Sequence, residues 1–127
     1  MATLEEFKKS RVARCVRATI TYADTTAVRI FTLPRGARIY TWMIHVPTAL
    51  VTGTTTFTVG TKASAAYFIS AMTAAATGTY MPDTESAVPG HTTTALTEVY
   101  ATVGASNTAG TIIIDCVFGL DVERSIR

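Results

Sequence analysis

ARIYTWMIHVPTALVTGTTTFTVGT, residues 37–61, holds one permanently charged side chain, Arg38, and is crowded with β-branched and aromatic groups. A bilayer, a protein core or a surface covered by other protein would each suit so little charge. A membrane-spanning helix needs about 20 consecutive apolar residues. Pro47, Gly53 and the run Thr54-Thr55-Thr56 break this stretch, so it does not span. The alternation is that of a strand instead: Tyr40, Trp42, Ile44 and Val46 point to one face, and Thr41, Met43 and His45 to the other. The reading is a long central strand ended by Pro47, in a sheet covered on at least one side.

The same period recurs on either side. Val16, Ala18, Ile20 and Tyr22 alternate with Arg17, Thr19 and Thr21 from Cys15 onward, and Asp24-Thr25 turns the chain. Val28, Ile30 and Thr32 alternate with Arg29, Phe31 and Leu33 until Pro34-Arg35-Gly36, because proline has no N–H for a ladder. Thr55, Phe57 and Val59 form a strand whose outer face is a row of threonines, which favour extended backbone. Ser64 to Ala76, rich in alanine, predicts a short helix or an irregular bridge. Gly78 to Thr94 contains Pro82, Asp83, Pro89 and Gly90 without a period, and reads as a long loop with one or two short extended pieces. Val99, Ala101 and Val103 alternate with Glu98, Tyr100 and Thr102. Ile112, Ile114, Cys116 and Phe118 alternate with Ile113, Asp115 and Val117, and Gly104 to Gly110 reads as a hairpin-type connection between the two runs. Six or more short strands with Gly and Pro punctuation predict an all-β fold, an antiparallel β-sandwich of the jelly-roll kind.

At the start of the chain, Thr3-Leu4-Glu5-Glu6 has the spacing of a capping box, so a helical turn or two from Leu4 to Lys9 is expected. The organisation is an N-terminal arm over 1–13, one sandwich domain over 14–120 and a charged tail over 121–127. The 127 residues suit one domain, and 48% apolar residues suffice for its core. Only 16% are charged, against roughly 25% in ordinary soluble domains, which leaves a neutral surface of hydroxyls and methyls suited to contact with protein. Glu5 and Glu6 ahead of Lys8 and Lys9 do not make a signal peptide, and Ala63 to Pro82 is too weakly apolar for hydrocarbon. The expectation is a soluble protein made in the cytoplasm, with Cys15 and Cys116 as buried thiols rather than a disulfide.

Chemistry is sparse. No phosphate loop, nucleophile elbow or dinucleotide fingerprint occurs. His45 reads as a surface side chain on a strand and His91 as a loop residue, which leaves few parts for a triad or a metal cluster. Asp83 and Glu85 supply too few oxygens for calcium. Asp24, Asp83, Glu85, Glu98 and Asp115 are a thin set for paired carboxylates, and Glu98 and Asp115, placed on the outer face of adjacent strands, suggest solvation or pairing with arginine. Tyr22, Tyr40, Trp42 and Phe57 read as core before sugar platform. An enzyme is therefore the weakest function class, and no cofactor or metal is expected. The basic run Lys8, Lys9, Arg11, Arg14 and Arg17 fits a solvated arm or an arm laid over an acidic protein surface better than a nucleic-acid contact.

LPRGARIYTWMIHVPTAL, then GTTTFTVGT, and later TEVYATVGASNTAGTIIIDCVFG give the chain a resemblance, over Ile20 to Phe118, to small tailed-phage virion proteins of the head decoration, or cement, kind. The resemblance implies a structural protein of the capsid exterior that binds the major capsid protein as a homo-oligomer, often a trimer, and stabilises the head, with neither nucleic acid nor membrane as partner. On that hypothesis Phe7, Lys8, Lys9, Arg11 and Arg14 contact the capsid protein or a neighbouring subunit, and the threonine faces and the 78–94 loop serve packing or outward display. The rival is a carbohydrate-binding or adhesive module of a tail or head fibre, to which Trp42 or Tyr80 would be central.

Overall fold

The computed structural model describes residues 12–81 and 93–120. The expected helix near Leu4, the tail over 121–127 and most of the expected 78–94 loop lie outside them. The described strands are β1 Val12–Thr21, β2 Val28–Leu33, β3 Ala37–Val51, β4 Thr56–Gly60, β5 Ile69–Thr73, β6 Gly78–Tyr80, β7 Thr97–Val103 and β8 Ala109–Leu120. They form two four-stranded antiparallel sheets, one in the order β1-β8-β3-β6 and the other β2-β7-β4-β5. The architecture is an antiparallel β-sandwich, with no helix among the described residues. Its pairs are nested: β4 lies against β5, β3 against β6, β2 against β7 and β1 against β8.

The inward faces follow the sequence period in most strands. Ile112, Ile114, Cys116 and Phe118 of β8 and Val99, Ala101 and Val103 of β7 are buried between the sheets. Phe57 and Val59 of β4 meet them, while Thr56 and Thr58 are only half-buried. Trp42 sits between Phe31 and Phe68, with ring centroids 6.1 and 5.3 Å away. In β2 the register shifts between Arg29 and Phe31, so Ile30 and Phe31 both pack on the core.

Four expectations are corrected. First, β3 begins at Ala37 and runs past Pro47 to Val51. Proline is tolerated because Pro47 lies beyond the β6 ladder, which covers Ile44 to Val46, and in a shift of the β8 register between His45 and Thr48. Second, Tyr40 faces outward at 42% exposure rather than sharing the face of Trp42. It is the extra residue of a bulge between Ile39 and Thr41, which pair with Phe118 and Val117. Third, Ile69 to Thr73 is strand rather than helix or bridge; β4 needs an edge partner, and that pairing overrides the alanines' helix propensity. Ala71, at φ 50°, takes up the bulge this requires.

Fourth, the connection over 104–110 is not a hairpin. β7 and β8 belong to different sheets, so the segment crosses from one to the other, and Glu98 and Asp115 are not on adjacent strands. The expected turn chemistry is nonetheless there. Ser106 has φ 69°, and Asn107 is buried with its amide donating to Thr54 O at 2.7 Å and Gly104 O at 3.0 Å while accepting from Gly53 N at 3.2 Å. Gly53 has to be glycine at this junction, since a Cβ there would overlap the backbone of Ala105 and Ser106. β1 also starts at Val12, ahead of the Cys15 that the alternation indicates.

Candidate functional site

Of the contact positions singled out in the sequence, Phe7, Lys8, Lys9 and Arg11 lie outside the described residues, as do Asp83, Glu85 and His91. Arg14 is exposed in β1, opposite Phe118 of β8. Trp42 is a core residue at 2% exposure. The Tyr80 hydroxyl donates to Ala76 O at 2.8 Å and stands 3.2 Å from Thr77 O, which ties it to the turn before β6. Cys15 and Cys116 are both free thiols, but the expectation of two buried ones fails at Cys15, which is exposed. Their registers explain this: Cys15 pairs with Val117 and Val16 with Cys116, so the cysteines occupy opposite faces. Burial pushes the Cys116 thiol up to about 12.

The outer face of the β1-β8-β3-β6 sheet is organised in cross-strand rows. Arg17, Asp115 and Met43 share one row. The Arg17 guanidinium grips Asp115 with both oxygens engaged, Nε donating to Oδ1 at 2.7 Å and Nη2 to Oδ2 at 2.9 Å. Asp115 is thereby only 8% exposed although it faces away from the core. Hydrogen bonding from Arg17 holds its carboxyl below the usual carboxylate range, against the opposing pull of desolvation. The next row holds Thr19, Ile113, His45 and Thr79, with His45 Nδ1 2.9 Å from Thr79 Oγ1. Tyr40 lies across Gly119, where any Cβ would run into its ring and hydroxyl. Exposed Tyr40 and Met43, with half-buried Ile113 and Val117, give this face a mixed apolar and hydroxyl character.

The other outer face carries threonines. Thr58 pairs with Thr102, and Thr56 with Thr73. Beside them Arg29 Nη1 donates to Glu98 Oε2 at 2.9 Å and the Tyr100 hydroxyl to Glu98 Oε1 at 3.2 Å. These two bonds, that from Arg29 first, lower the pKa of Glu98; desolvation first and Glu98 second raise that of Tyr100. An open groove of about 350 Å³ runs past this cluster, between Lys62 and Leu96, the latter 72% exposed. The groove was invisible in the sequence because Lys62 and Leu96 belong to separate connections that meet only in the folded sheet. The Arg17–Asp115 pair was half visible: an arginine partner was expected for Asp115, but its choice needed the register between residues 98 apart. Among the described residues no three of His, Cys, Asp and Glu gather closely enough to hold a metal ion, and no helix is long and apolar enough to cross a membrane.

No family model matches the chain, and no curated protein matches it. Solved structures that it resembles include a chain of the acidic stable capsid structure of Helicobacter pylori bacteriophage KHP30, at 18% identity and a TM-score of 0.71, over 87% of this chain and 89% of that one. A chain of the cyanophage Pam1 capsid asymmetric unit is 23% identical with a TM-score of 0.64, over 85% of this chain and 84% of that one. At these identities the shared property is the β-sandwich fold over nearly the full length of each chain.

Proposed function

We propose that this chain is a structural virion protein that binds the outer surface of a phage capsid as an oligomer, a trimer, and stabilises the head. The observation that carries the reading is the likeness, over more than four-fifths of the chain, to chains found in two phage capsid structures. Two features of the chain support it. The outer faces are poor in charge, and the charges they do carry are largely paired, Arg17 with Asp115 and Arg29 with Glu98. The nested strand pairs, with the chain alternating between sheets, have the form of one long hairpin rolled up on itself, which we read as a jelly roll.

The mechanism is non-covalent clamping. A protein that binds only the expanded shell stabilises it by mass action, and repetition over many sites multiplies a modest contact energy. In this reading the basic arm, with Phe7, Lys8, Lys9, Arg11 and Arg14, contacts the capsid protein or a neighbouring subunit, and the threonine-bearing faces serve subunit packing. No catalysis is involved. The adhesive-module alternative loses its main ligand platform, because Trp42 is buried between the sheets.

Light scattering over a concentration series, followed by co-sedimentation with expanded capsids, tests the proposal. A stable trimer that saturates the capsids is the expected result; a monomer that leaves them bare refutes it. Deleting residues 2–13 should lower capsid occupancy, and unchanged occupancy would remove the arm from the interface.

A further inference from the structure

Among the described strands β1 is an edge strand of its sheet and the only long, regular edge. It runs ten residues, Val12–Thr21, paired with β8 along its whole length without a register shift. The other edges are blunted: β6 has three residues, β5 is bulged at Ala71, and β2 shifts register between Arg29 and Phe31. Long unblunted edges are templates for an added strand.

Which main-chain groups of β1 point outward follows from one hydrogen bond. Tyr22 N donates to Gly110 O at 3.1 Å, so the even-numbered residues of this antiparallel ladder turn their N–H and C=O toward β8. The odd-numbered residues then turn theirs away. Thr21 confirms the parity: its outward N–H donates to Asp24 Oδ2 at 2.8 Å, and its outward C=O accepts from Asp24 N at 3.0 Å. Asp24 thus closes one end of the edge. Ala13, Cys15, Arg17 and Thr19 present the remaining outward N–H and C=O groups, and no described residue bonds to them.

The charge around this edge selects its occupant. From Val12 to Ala23 the chain has Arg14 and Arg17 and no acidic residue. Pairing two copies of β1 would set these like charges against each other, whereas carboxylates on an incoming strand would meet Arg14, which makes no ion pair among the described residues. We infer that the outward edge of β1, at Ala13, Cys15, Arg17 and Thr19, is a strand-addition site for an extended, carboxylate-bearing segment of the shell protein. The inference rests on the proposed capsid role and assigns its contact to main-chain hydrogen bonds.

Proline substitution tests it, because the ladder to β8 uses only even-numbered amides. Cys15→Pro and Thr19→Pro remove an outward N–H and should keep the melting temperature within a few degrees while weakening co-sedimentation with expanded capsids about tenfold or more. Ala18→Pro removes an amide of the β8 ladder and should destabilise the fold. A second measurement needs no variant: deuterium exchange of the wild-type protein should show the amides of residues 13, 15, 17 and 19 fast when free and slowed about a hundredfold or more on capsids. Wild-type binding with unchanged binding of both odd-site variants, or unslowed exchange at those amides, overturns the inference and leaves the capsid role standing. Loss of self-association in the odd-site variants would make a second copy the occupant and also overturn it. Failure of the wild-type protein to bind capsids overturns the capsid role, and this inference with it.

Discussion

Replacing Asn107 tests the junction that closes one end of the sandwich. Its side chain makes three hydrogen bonds to main-chain groups, donating to Thr54 O and Gly104 O and accepting from Gly53 N. Those groups lie in the turn between β3 and β4 and in the crossover between β7 and β8, whose own backbones meet through Thr54 N to Ala105 O at 2.9 Å and Thr108 N to Val51 O at 3.1 Å. Each hydrogen bond contributes about 1 kcal/mol net, so Asn107→Ala should cost about 3 kcal/mol. In a chain of this length that lowers the melting temperature by roughly 10 °C. Asn107→Asp separates the two roles of the amide. The carboxylate still accepts from Gly53 but faces two carbonyl oxygens without a proton to give, so at neutral pH this variant should be at least as unstable as the alanine one. Protonation restores a donor and is favoured in the folded state, which raises the folded-state pKa of residue 107 above its unfolded value. The deficit of the aspartate variant is therefore present at neutral pH and shrinks as pH falls through that raised value. Urea unfolding followed by circular dichroism at neutral and mildly acidic pH measures all of this. A cost below about 1 kcal/mol for Asn107→Ala, or an aspartate variant as stable as wild type, would refute the assigned network.

Trp42 is the sole tryptophan, so native fluorescence reports on the core directly; emission should be blue-shifted and move to the red on unfolding, and a native spectrum like that of free tryptophan would contradict its burial. Trp42→Ala should cost about 4 kcal/mol, whereas Trp42→Phe should cost much less, since it also removes an indole N–H that meets no acceptor among the described residues. Thiol labelling of the native protein should modify Cys15 quickly and Cys116 only on unfolding, because Cys116 is buried and its thiol is pushed up to about 12; equal rates would refute the facing of β1 and β8. Asp115 and Glu98 both titrate below their unfolded values, so the stability they contribute is present above the ordinary carboxylate range of about 4 and is lost as pH falls through the depressed values. Asp115→Asn should flatten that acid limb in urea midpoints measured against pH, and an unchanged slope would count against the Arg17 pairing.

Which residues face the core was legible wherever a strand keeps a strict period of two, as in Ile112-Ile114-Cys116-Phe118 and Val99-Ala101-Val103. It failed where a partner strand forces an extra residue in. Nothing in ARIYTW marks Tyr40 as the bulged position, because the bulge depends on how β3 matches Phe118 and Val117 of β8. The same division separates turn chemistry from topology. Gly104, Asn107 and Gly110 announced a sharp change of direction, and Ser106 and Gly110 do adopt positive φ. Whether that change makes a hairpin or a crossover is decided by the neighbours already occupied, since β7 has β2 and β4 and β8 has β1 and β3. The candidate surfaces were hidden for the same reason, Arg17 and Asp115 being near each other only through nesting. Nesting also fixes where an open edge must fall. The outermost pair of a rolled hairpin is its first and last strands, and among the described strands β8 gains β3 on its other side while β1 gains none. Among the described strands the border formed by β1 therefore carries Arg14 and Arg17 beside main-chain groups to which no described residue bonds, so positive charge and an open ladder lie together on one strand.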